Sequence, residues 1–295
     1  MTTPRSWQMP AGTMGTYHVI SRCTRRLWLL HGEWAHRKDW FCELAGGLLE
    51  CFRIDLHAYA VMANHVHMVL RPRPDRVTAM EAVAVAAAGH RAMPVRGGHG
   101  NVAMATTPEL LQRLSSATEW QREYRQRLSS ISWFMRCLKQ RISQRANAET
   151  GCSGHFWDAR FLSVPLPDLA AVVGCMAYVD ANPYRAKAVA FPERATYTSL
   201  RARMYPDDIR DTPESILAAR LTPLEQVGPV DPLSGRIDNC ALGLEDYLGL
   251  IHVGCGLVPD SAGGATIVGL EGDAWRRRIG EPGMFQGAGS GRGPE

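Results

Sequence analysis

Short apolar blocks and periodic stripes divide the N-terminal part of the chain into elements. The block from Tyr17 to Cys23 predicts a strand, and the loop after it carries Arg25 and Arg26. Between His36 and Phe52, the residues Trp40, Leu44, Leu48 and Phe52 recur every four positions, which predicts a helix with one apolar face. Ile54 to Val61 and His65 to Arg71 flank a short turn at Met62 to Asn64 and predict a hairpin. The Ala-rich run from Met80 to Ala88 predicts a helix, whereas Met93 to Thr107 is rich in Gly and predicts a flexible loop. Helical pattern returns from Pro108 to Ala148, where Trp120, Tyr124, Leu128, Ile131, Phe134, Leu138 and Ile142 form a stripe, with a break near Ser129. Phe161 to Leu166 reads as a strand. Asp168 then serves as N-cap of a helix that Pro183 ends.

The resulting order, βαββαβα, predicts an α+β fold: a ferredoxin-like antiparallel sheet with packed helices, the last of them carrying Tyr178. After Tyr205 the chain becomes acidic and contains many Pro and Gly. Residues 1–205 are therefore expected to form the main domain, with an insertion at about 74–130, and residues 206–295 an extension. Apolar segments around Leu217, Tyr247 to Ile251 and Trp275 are candidates to dock on the main body. The tail from about residue 283 is expected to be disordered.

Charge follows the same division. Residues 1–205 hold 26 Lys and Arg against 15 Asp and Glu, and the remainder holds 7 against 14. Arg dominates the basic part, and its planar fork matches phosphate oxygens, so nucleic acid becomes a candidate partner. No apolar run approaches the ~20 residues of a membrane span. The start lacks the apolar core of a signal peptide, and the eight cysteines contain no Cys-x-x-Cys pair, so a cytoplasmic location is expected.

Chemistry concentrates at two places. Side chains alternate along a strand, so His65 and His67 face the same way and can share a metal ion or line a polar cavity. On a helix Tyr178 and Asn182 stand one turn apart on one face. Plainer roles compete for them: a core tyrosine with a satisfied hydroxyl, and a helix C-cap.

The run Tyr59 to Leu70, containing His65-Val66-His67, resembles the histidine-hydrophobic-histidine signature of the single-tyrosine transposases of bacterial insertion sequences. Three further segments, Tyr17 to Arg22, Gly154 to Phe161 and Tyr178 to Ala186, are similar to the REP-associated tyrosine transposases, which act on repetitive extragenic palindromes. The motifs stand in family order and cover about residues 17–203. The resemblance implies that Tyr178 is a nucleophile forming a 5′-phosphotyrosine, and that His65, His67 and Asn182 hold Mg2+ or Mn2+. It further implies single-stranded, hairpin or palindromic DNA as partner, a monomer or homodimer, and association with the bacterial nucleoid. Arg22, Arg25, Arg26, Arg160 and Arg185 are the candidate DNA contacts. Two rivals stay open, a domesticated palindrome-binding protein that does not cut and a metal-dependent hydrolase that uses water. The chain departs from the family in having Ala63 where relatives often have Pro, and in the length of the stretch from about Pro74 to Ser130.

Overall fold

Val66, Met68 and Leu70 belong to one buried cluster while Val69 belongs to another, so alternate residues of one strand face two different cores. That strand is central to the molecule. The computed structural model describes residues 9, 12–97, 102–231, 234–238 and 240–257. Its main sheet contains β1 (Thr16–Arg22), β2 (Ile54–Val61), β3 (His65–Pro72) and β6 (Leu162–Leu166), in the order β2-β3-β1-β6 with every pair antiparallel. The hairpin closes where Met62 N–H donates to the His65 carbonyl at 2.9 Å.

One face of the sheet packs on α1 (Arg37–Cys51) and on α6 (Ile131–Thr150), with Phe41, Leu48, Phe52, Phe134 and Leu138 in the shared core. The other face packs on α7 (Leu169–Arg185), where Ala58, Ala60 and Val69 of the sheet meet a helix containing Ala171, Gly174, Ala177 and Ala181. Small residues on both surfaces let the helix lie close to the sheet. As expected, Asp168 caps α7: its Oδ1 accepts from Ala171 N–H at 2.7 Å. Pro183 does not end the helix. It costs the hydrogen bond that its own nitrogen would have made, but the chain around it is buried and Ala186 N–H still reaches the Asn182 carbonyl at 2.9 Å, so the last turn persists to Arg185.

The stretch between β3 and α6 contains α2 (Pro74–Thr78), α3 (Ala82–Ala92), α4 (Pro108–Ser116) and α5 (Thr118–Leu128). The stripe from Pro108 onward is thus split into three helices, breaking at Ala117 as well as near Ser129. Thr107 and Ser130 each accept a backbone N–H of the first turn they precede. Within the expected Gly-rich loop, β4 (Arg96–Gly97) pairs antiparallel with β5 (Val102–Ala103).

Beyond Tyr205 the chain enters both cores. Ile209 and Leu217 join the first, and Leu224, Val227, Leu242, Tyr247, Leu250 and Ile251 join the second. These residues come partly from α9 (Pro213–Ala218) and α10 (Leu244–Gly254); α8 (Ser199–Met204) precedes them. Polar ties reinforce the packing. Buried Arg71 bonds Asp55 Oδ2 through two nitrogens at 3.0 and 2.9 Å, and also donates to the carbonyls of Gly228 at 2.6 Å and Gln226 at 3.2 Å. A Cβ on Gly46 of α1 would lie 2.6 Å from the Ile216 carbonyl oxygen, so the close crossing of α9 requires glycine there. Trp275 and the expected disordered tail lie outside the described residues.

Gly46→Ala is accordingly expected to destabilise the protein by ~1–3 kcal/mol, because the clash is with backbone that cannot rotate away. A chain ending at Tyr205 should lose its cooperative unfolding transition or aggregate. Urea denaturation followed by circular dichroism checks both, and a neutral Gly46→Ala would show that α9 does not pack so closely.

Candidate active site

β1 and β3 pair so that Arg22 stands opposite His65 and Ile20 opposite His67. His18, two residues from Ile20 on the same face, is then the diagonal neighbour of His67. Its Nε2 lies 2.9 Å from His67 Nδ1, and the two rings stack with centroids 5.0 Å apart. On the other side of His67, Asn182 Nδ2 donates to His67 Nε2 at 3.3 Å. An acceptor nitrogen at Nε2 places the ring proton on Nδ1, where it is donated to His18. Asn64 does the same for the second histidine. Its Oδ1 lies 2.7 Å from His65 Nδ1, while its Nδ2 donates to the Arg26 carbonyl at 3.0 Å and thereby orients the amide. With the Asn64 and Asn182 amides in these orientations, both imidazoles of the His-x-His pair carry the proton on Nδ1 and a lone pair on Nε2.

Electrostatics keep them neutral. Burial pushes the His65 pKa down to about 4, assisted by the Arg22 cation. His67 is held well below the ordinary range by burial, then by His65, His18 and Arg22. Neutral imidazole is the form that binds a metal ion.

α7 brings the second pair to the same place. Tyr178 is 5% exposed, and its ring sits edge-on at 6.0 Å from both His18 and His67. The Arg185 guanidinium lies 5.4 Å from the Tyr178 ring centroid. Of the residues selected from sequence, His65, His67, Tyr178 and Asn182 converge, with Arg22 and Arg185 bordering them. Arg25 and Arg26 are exposed on the turn beside Asn64, both with left-handed backbone at φ 50° and 57°. Arg160 is exposed on the loop before β6.

No family model and no curated protein matches the chain. Among solved structures it is similar to a REP-associated tyrosine transposase bound to a REP hairpin, at 13% identity and a TM-score of 0.40, over 80% of this chain and 99% of that one.

His18 and Asn64 are the members that sequence reading passed over. Both lie inside quoted motifs, but their roles depend on pairing between β1 and β3, which local spacing does not encode. Among the described residues, no three His, Cys, Asp or Glu side chains are grouped as metal ligands, and none of their helices is long and apolar enough to cross a membrane. The candidate donors are instead two imidazoles and an amide. Asn182 and His67 present polar atoms 3.3 Å apart, near the ~3 Å separation of neighbouring ligands around an octahedral ion with bonds of about 2.1 Å. A half-turn of the amide exchanges its nitrogen for the oxygen a cation requires, so His67 and Asn182 are spaced to suit a divalent ion.

Imidazole 15N spectra should therefore show His65 and His67 neutral and in the Nδ1–H form at pH 7, with His65 titrating only near pH 4. Because these folded-state values lie below that of free histidine, the unfolded chain takes up protons first. Stability is retained above about pH 6.5 and declines as pH falls toward 4. An Nε2–H tautomer, or protonation above pH 6, would contradict the geometry.

Proposed function

We propose that this chain is a metal-dependent enzyme that nicks and transfers single strands of DNA at hairpins or palindromes, with Tyr178 as nucleophile. One observation carries the reading. Two histidines from a strand, each held with Nε2 as the lone-pair nitrogen, meet an amide and a tyrosine spaced one turn apart on a single helix. A rigid helix sets the distance between nucleophile and ligand set. The sheet order β2-β3-β1-β6 supports the ferredoxin-like assignment, with the tyrosine helix packed across one face.

His65, His67 and Asn182 would hold Mg2+ or Mn2+. A bound divalent ion would supply Lewis-acid polarisation of the scissile phosphate. Tyr178 Oη would attack phosphorus as its proton departs, and Arg185 beside the ring would stabilise the phenolate. The bond from phosphorus to the 3′ oxygen would break, leaving a 5′-phosphotyrosine and, after protonation of the leaving oxygen, a free 3′-hydroxyl. Phosphodiester energy is conserved in that ester, so a second 3′-hydroxyl can reverse the step at a new junction. Arg22, Arg25, Arg26 and Arg160 would contact backbone phosphates. The rival reading is a protein that binds palindromes without cutting them.

Labelled hairpin DNA with a single-stranded flank, incubated with manganese and run on a denaturing gel, separates the two. Wild type should form a covalent adduct. Tyr178→Phe should abolish it while leaving hairpin affinity nearly unchanged, because only the hydroxyl is lost. His67→Ala should abolish nicking, and Asn182→Ala should weaken metal affinity by about 10–100-fold, with activity partly restored by excess manganese. Binding without adduct in the wild type favours the rival, and cleavage without adduct points to hydrolysis by water.

A further inference from the structure

The His65 side of the site opens into a cavity of about 640 Å3, whose walls include Trp28, Lys38, Met62, His65 and Lys187. No carboxylate lines it among the described residues. Its buried apolar floor is Val61, at the end of β2, and Met62 in the turn after it, and Lys38 and Lys187 supply positive charge. Trp28 is 65% exposed and stands edge-on to His31, with ring centroids 5.4 Å apart, so the indole has a face available for stacking. Lys187 lies just beyond the tyrosine helix. It is held in left-handed backbone at φ 56°, with its N–H donating to the Tyr184 carbonyl at 2.8 Å, a strained conformation of the kind kept at binding sites.

An apolar floor, an exposed indole, two lysines and no acidic group complement an anionic ligand with a flat aromatic part. The volume lies within the roughly 300–1,000 Å3 of ordinary ligand sites, room for one or two nucleotides but not for a duplex. We infer that this cavity receives an unpaired nucleotide adjoining the scissile phosphate, with the base stacked on Trp28 and the backbone phosphates met by Lys187 and Lys38. The position relative to the scissile bond rests on the nicking activity proposed above, because His65 belongs to both sites. The cavity would thus select a single-stranded flank, and base stacking makes that selection tolerant of sequence.

Fluorescence anisotropy with a labelled short oligothymidylate, and with an abasic sugar-phosphate chain of equal length, tests this on the full chain. Trp28→Ala should weaken thymidylate binding about tenfold and leave the abasic chain unaffected, while Trp28→Phe should retain most of the affinity. Lys187→Ala should weaken both probes and reduce the salt dependence. Trp28 is exposed, so its replacement leaves the core intact. Equal affinity of wild type and Trp28→Ala for thymidylate would overturn the inference, as would wild type binding both probes equally. These equilibria need no cleavage, so their failure is distinguishable from failure to form an adduct. Thymidylate discrimination without adduct would leave a single-strand pocket standing and remove only its link to a scissile phosphate.

Discussion

The Asp180 carboxylate decides where the candidate nucleophile points. It lies fully buried between Tyr178 and Asn182 in sequence, about 200° around the helix from Tyr178, on the face turned away from the histidines. Ser199 Oγ donates to its two oxygens at 2.7 and 2.9 Å, Leu200 N–H donates at 2.9 Å, and Tyr247 Oη donates at 2.7 Å. Burial still pushes the carboxyl above the usual range, with Arg203 and these donors acting in the opposite direction. A buried carboxylate with several donors has one low-energy position. Because α7 turns as a rigid body, fixing its back face fixes its front.

That arrangement gives the acidic C-terminal part a structural reason to be present. Tyr247 comes from α10, Ser199 and Leu200 from the first turn of α8, and all three close on one helix. Arg71, in the strand that carries the two histidines, binds the carbonyls of Gln226 and Gly228. The segment after Tyr205 therefore braces both halves of the candidate site, the strand through Arg71 and the helix through Asp180. One of its acidic side chains, Glu214, is also buried and accepts from Tyr59 Oη at 3.0 Å.

Much of this was legible from local pattern. The limits of β2 and β3 followed from apolar blocks, the shared face of His65 and His67 from strand alternation, the pairing of Tyr178 with Asn182 from helical spacing, and the Asp168 cap from residue type. The rest depends on contacts between distant segments. His18 gains its role only when β1 aligns with β3, and Asn64 only when the turn after β1 brings the Arg26 carbonyl within reach. Asp180 reads in sequence as one polar residue in an apolar helix, and nothing nearby announces Tyr247. Pro183 was misleading because helix propensity is a local rule, whereas the packing of α7 on the sheet sustains its last turn.

The central claim is that a tyrosine buried beside two neutral imidazoles attacks phosphorus. Trapping the protein on single-stranded hairpin DNA with manganese, then digesting with nuclease and trypsin, would leave a phosphonucleotide on one peptide. Tyr178 and Tyr184 fall within the same tryptic fragment, so fragment-ion mass spectrometry must separate them. The added mass is expected on Tyr178 alone, and absent when metal is chelated. Modification of Tyr184, or DNA bound tightly with no modified tyrosine at all, would contradict it.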